Sequence, residues 1–310
     1  MCYSAQLHEA YLDFCRAWGA ALSLPEFARQ YGVRQTDRRV RIPRAVDRWF
    51  APPQSDGMRA VAASIEAFDD AETTRLESEL FSAKTRLNTA TRALAVKPTK
   101  KAAEDRRIAT NKIEAAKTRL ADLRRNDVLP RDRRFFPGWT VPVVIAEADG
   151  LKIVPMRYQC RLAGKPATYD ARYPGTYNAR RDNLEGFWKG QFGHTHGVIV
   201  ADVFFENVAT PDGRNRVLRF APRDGSPLFI ACLWSRWTDP QGTLPDLLSF
   251  AAVTDAPEPE VAAAGHDRTV VNLRPENVAS WLHPDPRNLA AMYALMDDKQ
   301  HPHYEFREAA

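Results

Sequence analysis

Hydrophobic positions change rhythm three times along the chain. Tyr11, Phe14, Cys15 and Trp18 recur at helical spacing and predict a helix near the start, followed by a basic run from Arg38 to Arg44. Residues 64–127 are almost free of Pro and Gly, and Leu76, Leu80, Ala83, Leu87, Ala90 and Leu94 repeat at alternating spacings of four and three. Ala109, Ile113, Ala116, Leu120 and Leu123 resume that rhythm beyond a breaker, Val96-Lys97-Pro98-Thr99-Lys100, whose proline cannot sit inside a helix. The pentapeptide Ala-Lys-Thr-Arg-Leu occurs once per arm, at 83–87 and 116–120. An antiparallel helical hairpin over 64–127 follows.

Beyond residue 133 the pattern turns to short β-type runs: Val141–Ala146, Leu151–Tyr158, Gly197–Glu206, Val217–Phe220, Leu228–Trp234, Leu247–Thr254 and Thr269–Leu273. Asp149-Gly150 and Asp224-Gly225 predict hairpin turns between the first pair of runs and between the fourth and fifth. Helices are expected again only at Pro275–Leu282 and Pro286–Met296. Strands without regular βαβ alternation predict an α+β fold. It is a single β-rich, barrel-like domain formed by 1–60 and 130–310, with the hairpin inserted.

Composition narrows the class. With 310 residues, 44% of them hydrophobic, the chain can bury a sizeable core. No apolar run approaches the roughly 20 residues of a bilayer span. The first residues, Met1-Cys2-Tyr3-Ser4-Ala5-Gln6-Leu7, lack a basic flank and a continuous apolar stretch, so no secretory leader is expected. Four scattered cysteines, Cys2, Cys15, Cys160 and Cys232, form neither a disulfide framework nor a zinc knuckle. A soluble, reduced, cytoplasmic protein with no membrane partner is the expectation. The net charge is +5, and residues 69–127 hold 14 basic against 10 acidic side chains, so most of the excess lies in the hairpin. A solvated hairpin face explains this charge; a docking arm for a protein partner or for DNA is the alternative. No Gly-rich phosphate loop occurs, which disfavours a nucleotide cofactor, and no cofactor is expected.

Cys2 is the most informative residue. Removal of Met1 would leave an α-amine and a thiol on adjacent carbons, with reference pKa values of about 7.7–8.0 and about 8.5, both partly reactive near neutrality. Such an aminothiol attacks an aldehyde through nitrogen and closes a five-membered thiazolidine through sulfur, a cheap intramolecular step. Three further groups keep it company. Asn178 and Arg180 follow a Pro174-Gly175 turn, Glu206 ends a strongly apolar strand, and His266-Asp267-Arg268 follows the small-residue loop Ala262–Gly265. Taken singly, Glu206 would simply exit into solvent and His266 would be polar surface. His194 and His196 flank one residue but lack a third ligand at supporting spacing, and His301 and His303 lie in a tail-like C-terminus, so no metal site is expected.

The order of these motifs carries a resemblance. Met1-Cys2, Val141–Val144, Val154–Tyr158, Tyr177–Arg180, Ala201–Glu206, Leu228–Trp234 and His266–Arg268 fall in the sequence seen in the SOS response-associated peptidase (SRAP) family, the abasic-site-processing proteins. The chain resembles that family over roughly 1–50 and 130–285. The resemblance implies a compact β-rich domain with a basic cleft. It also implies a covalent crosslink from Cys2 to abasic sites in single-stranded DNA, and autoproteolytic removal of Met1. It assigns Asn178 to holding the N-terminus and the opened sugar, Glu206 to acid–base catalysis and His266 to the sugar hydroxyl. Arg180 and Arg268 become phosphate contacts, and Arg157 with Tyr158 takes the place of an Arg-Trp pair near the base stack. A nucleoid-associated monomer with lyase-type activity and a DNA-damage role would result.

The chain departs from the family pattern in three places. Tyr3-Ser4 stands where Gly-Arg is usual, Tyr158 replaces a tryptophan, and Asn207 rather than tryptophan follows Glu206. A phosphate-binding arginine is therefore missing beside Cys2. Two other readings fit the same residues: an N-terminal-nucleophile thiol protease or amidohydrolase acting on a non-DNA substrate, and a non-catalytic module binding DNA or a protein partner.

Overall fold

The computed structural model describes residues 4–210 and 213–309. In chain order the elements are β1 (Ser4–Leu7), α1 (Tyr11–Ala17), β2 (Ala21–Leu22), α2 (Leu24–Thr36) and α3 (Arg44–Asp47), then the long α4 (Asp56–Val96) and α5 (Lys100–Arg124). They continue with β3 (Arg134–Phe135), β4 (Thr140–Glu147), β5 (Gly150–Tyr158), α6 (Tyr169–Arg172), β6 (Asn178–Arg180), β7 (His196–Ala209), β8 (Asn215–Pro222), β9 (Leu228–Trp237) and β10 (Leu247–Asp255). The chain ends with α7 (Pro259–Ala263), β11 (Thr269–Val270), α8 (Val278–Leu282), α9 (Leu289–Asp297) and β12 (Tyr304–Glu308).

Five strands close a barrel in the order β4-β5-β10-β9-β7 and back to β4. All contacts are antiparallel except β5 with β10, which run parallel. Closure removes the sheet edges, and the interior fills with side chains such as Val143, Val154, Ile199, Ile230 and Ala252, all buried. The first hairpin turn forms as its Asp-Gly signal predicts, with Glu147 opposite Gly150 and Gly150 at φ +124.

The second predicted hairpin is not observed. Among the described residues β8 and β9 do not pair with each other; both pair with β7, β9 along His196–Ala201 and β8 along Phe204–Ala209. The cause is the length of β7, 14 residues. Its first half belongs to the barrel, and its second half leaves it to form a second sheet, β3-β1-β7-β8-β12. The Asp224-Gly225 turn therefore moves the chain sideways along one edge of β7.

Gly197 sits where β4, β7 and β9 meet, opposite Ile145 on one side and Cys232 on the other. A Cβ there would lie 2.7 Å from Val143 Cγ1 and 3.2 Å from the Val144 carbonyl oxygen. Gly197→Ala is expected to cost about 1–3 kcal/mol through overpacking. A urea unfolding midpoint equal to wild type would contradict this. The neighbouring His196 is buried, with Nε2 accepting from the Gly193 amide at 2.8 Å and Nδ1 facing the Trp281 carbonyl oxygen at 3.0 Å. That pair of partners places the single ring proton on Nδ1. Burial pushes the pKa of His196 from 6.5 down to about 3. Between those values the unfolded chain takes up a proton that the folded one refuses, so this group makes stability fall as pH falls. Going from pH 7 to pH 5 should cost about 2 kcal/mol from His196. His196→Gln should flatten the pH dependence of the urea midpoint; an unchanged slope would exclude the assignment.

The helical insertion is longer than its hydrophobic rhythm suggests. Helix α4 starts at Asp56 rather than near 64, because the Ser55 hydroxyl caps it by accepting from the Met58 amide at 3.2 Å. Its first turns pack against the body through the buried Val61. Thr99 caps α5 in the same way, so the turn at residues 97–99 falls at the predicted proline. The seam is thin: Leu76, Ala83 and Ala90 are buried on α4, while Leu80, Leu87 and Leu94 are only half-buried. Arg44 and Arg48 tie the base of the hairpin down by donating to the carbonyl oxygens of Leu123 and Arg125 at the end of α5. Among the described residues no helix is long and apolar enough to cross a membrane.

Candidate functional site

Glu206 lies within the second half of β7 and not, as expected, at a strand end open to solvent. Period-two alternation puts it on the same face as Phe204 and Val208, and its side chain is 0% exposed. Its Oε2 lies 3.3 Å from Nε2 of His266, which comes from the loop after α7 and is itself nearly buried. The other ring nitrogen, Nδ1, lies 2.9 Å from the carbonyl oxygen of Arg268. A carbonyl only accepts, so Nδ1 carries a proton and Nε2 turns towards the carboxylate. Lone pairs on Nε2 and Oε2 would repel at this distance; a shared proton between them relieves that. Burial holds the His266 pKa below its usual 6.5, with the hydrogen bond to Arg268 acting against it. Two residues placed by distant parts of the chain thus meet as a buried carboxylate–imidazole pair.

Strand β1 brings the start of the chain to the same place. Ser4 pairs with Phe205, the residue before Glu206. Cys2 itself lies outside the described residues. Arg134, which the sequence reading did not single out, donates from Nε to the Ser4 hydroxyl at 3.2 Å, and its guanidinium lies 3.7 Å from the Phe205 ring centroid. A guanidinium therefore reaches position 4 from β3, where the family pattern has an arginine at position 4 itself. The basic run Arg131-Asp132-Arg133-Arg134 ahead of a strand was the available signal.

Asn178 is held on β6, which runs parallel to β10. Its Oδ1 accepts from the Thr254 hydroxyl at 2.6 Å, while its buried Nδ2 has no hydrogen-bond partner among the described residues. A buried amide donor left without an acceptor costs about 1–3 kcal/mol, so the position suits a ligand that accepts. Thr254 was hidden to sequence reasoning inside an apolar strand. An open cleft of about 490 Å³ has Arg180, Thr254, Asp267 and Arg268 in its wall, joining the strand of Asn178 to the loop of His266. A neighbouring cleft of about 380 Å³ shares Arg180 and adds Asn178 and the half-exposed aromatics Tyr173 and Phe187. Arg180 pairs with Asp182 at 2.7 Å and Arg268 with Asp267 at 3.1 Å. These pairs involve largely exposed aspartates and are weak, so a phosphate can compete for either arginine.

Arg157 and Tyr158 do not join this group. Tyr158 is 1% exposed, stacked on Phe250 at 5.0 Å and edge-on to Phe135 and Tyr177. It is a core ring and offers no face to a base. The Arg157 guanidinium donates to Asp170 at 2.7 Å and to the Gln159 carbonyl oxygen at 3.1 Å, a structural role pinning α6. The shift has a simple cause: even-numbered positions along β5 such as Met156 and Tyr158 face the barrel interior.

Comparison with known proteins gives one family. Residues 98–309 match the family model described as SOS response associated peptidase (SRAP). Among curated proteins nothing matches the chain. Solved structures similar to it include a protein from Bordetella bronchiseptica, 20% identical, covering 60% of this chain and 90% of that one, with a TM-score of 0.48. A protein from Bacteroides thetaiotaomicron is 14% identical, covering 59% of this chain and 80% of its own, with a TM-score of 0.49. A phage-related protein from Bordetella bronchiseptica is 19% identical over 60% of this chain and 85% of its own, with a TM-score of 0.43.

Proposed function

Because the chain belongs to the SOS response associated peptidase (SRAP) family, we propose that it processes abasic sites in single-stranded DNA through a covalent link to Cys2. Hydrolysis of the Met1–Cys2 bond, consuming one water, frees the amine. That amine adds to the C1′ aldehyde of the ring-opened sugar, and loss of water gives an imine. The thiol then adds across the C=N bond, sulfur to carbon and its proton to nitrogen, closing a thiazolidine. Glu206 moves protons between the nitrogen and the departing oxygen, and His266 donates to the oxygen released when the sugar opens. Asn178 Nδ2 donates to the opened sugar, and Arg180 with Arg268 binds flanking phosphates.

The observation that carries this reading is the register of β1 against β7. It sets Ser4 beside Phe205, and the two residue steps from Ser4 to Cys2 span at most about 7 Å. The Glu206–His266 dyad is therefore within reach of the chain start. Arg134 at Ser4 supplies the positive charge that the missing arginine would have brought.

The test uses protein whose intact mass shows that Met1 is absent. Mixed with an oligonucleotide carrying one abasic site, it should give a heat-stable adduct whose mass is the sum of both less one water. Cys2→Ala should give none. No adduct from the processed wild type, or an adduct from Cys2→Ala, overturns the proposal. Hydrolysis of a non-DNA amide that survives Arg180→Ala and Arg268→Ala would favour the amidohydrolase reading.

A further inference from the structure

The C-terminal histidines are not in a loose tail. The chain folds back after α9, and β12 pairs along β8 from Tyr304 to Glu308. The turn into that strand brings His301 and His303 onto Glu260 of α7. His301 Nε2 lies 2.9 Å from Glu260 Oε2, and His303 Nδ1 lies 3.2 Å from Glu260 Oε1. One donor atom from each residue lies within 4.8 Å of the others, the one such His/Cys/Asp/Glu group of three among the described residues. Ligands of a tetrahedral ion bound at 2.0–2.1 Å sit about 3.3 Å apart, so the group needs little adjustment to close on one.

The surroundings are those that a bound ion could use. The far nitrogen of His301, Nδ1, faces Glu258 Oε2 at 3.6 Å, and Glu258 is itself held by Lys299 Nζ at 3.2 Å. A carboxylate behind an imidazole is the arrangement that orients metal-binding histidines, and Glu258 stands on that side of His301 just beyond hydrogen-bond length. Nε2 itself meets Glu260 Oε2 at 2.9 Å, a contact that a proton on Nε2 satisfies and that an ion bound to both atoms would replace. His303 adopts φ +54, a left-handed backbone that a residue with a side chain rarely takes, and this presents its ring to the same carboxylate.

We propose that Glu260, His301 and His303 form a divalent transition-metal site of the zinc type, two imidazoles and one carboxylate with a fourth position open to water. The ion would latch β12 to α7. Because α7 runs through Ala264 and Gly265 directly into His266, and β12 reaches β7 through β8, the latch would brace the two elements that bring His266 and Glu206 together.

The test is titration of untagged, chelator-treated full-length protein with Zn²⁺ by calorimetry, with Co²⁺ as a spectroscopic probe. Wild type should bind one equivalent that is lost, or weakened at least tenfold, in both His301→Ala and His303→Ala. The Co²⁺ complex should show the intense visible bands of tetrahedral coordination. His283→Ala, an exposed histidine on another element, should bind like wild type. No saturable binding to wild type, or binding unchanged in both single variants, overturns the site. The readout is independent of Cys2 and DNA, so failure of the crosslinking proposal would leave it standing.

Discussion

Glu206→Gln should slow adduct formation at pH 7 by about 10²–10⁴-fold, the usual contribution of a positioned acid–base group. The amide keeps the size of the side chain and can still hydrogen-bond His266 Nε2, but it cannot carry a proton between nitrogen and oxygen. The loss should therefore appear in the single-turnover rate. Affinity for the oligonucleotide, measured by fluorescence anisotropy, should be unchanged, because the phosphate contacts assigned to Arg180 and Arg268 are untouched. Combining Glu206→Gln with His266→Ala should cost less than the two losses multiplied together, since the two side chains are in contact. Burial lowers the His266 pKa, so the step in which it donates should weaken as pH rises, with that fall beginning below pH 6.5. A Glu206→Gln rate within threefold of wild type would remove the dyad from the chemistry.

Much of this is legible in the sequence, and the exceptions have physical reasons. The barrel strands announced themselves because β-branched runs and Asp-Gly turns are local signals. The helical hairpin did so because a 4-3 rhythm survives over many turns. Helix α2 was missed although Ser23, Pro25 and Glu26 mark a helix start, since its buried positions include polar Gln30 and Arg34 and blur the apolar stripe. Strand β12 was missed although Tyr304 and Phe306 alternate with charges; five residues beside a histidine pair look like a tail until β8 is there to pair with. Tyr158 was misplaced because a resemblance fixes order along the chain but not which way a strand faces. The 0% exposure of Glu206 was readable from its even spacing to Phe204 and Val208, yet its contact with His266 was not, because it joins β7 to a loop sixty residues later. Long-range polar contacts leave no periodicity to read.

Asp47→Ala should cost about 3–5 kcal/mol, the largest stability loss expected of any single change discussed. Asp47 Oδ1 accepts from the Tyr31 hydroxyl at 2.6 Å and from Arg34 Nη1 at 3.0 Å, with both ionic side chains about 9% exposed. Burial raises the carboxyl pKa of Asp47, and the Arg34 charge is the strongest effect opposing it. The Arg34 guanidinium also lies 3.9 Å from the ring centroid of Phe68 on α4, so this one cation joins α2, α3 and the base of the hairpin. Truncating Asp47 strands that cation in a dry site and leaves the Tyr31 hydroxyl without its acceptor. Asp69, whose carboxyl is itself half-buried and feels Arg34, can recapture part of the interaction and sets the lower end of the range. The paired replacement Arg34→Met with Asp47→Leu removes both charges together and should restore most of the loss, because an apolar pair of similar size has no desolvation penalty to offset. Urea unfolding of Arg34→Met, Asp47→Leu and the pair closes the cycle. If Asp47→Ala costs under 1 kcal/mol, water reaches Arg34 freely and the hairpin base is held by its apolar contacts and by Arg44 and Arg48 instead.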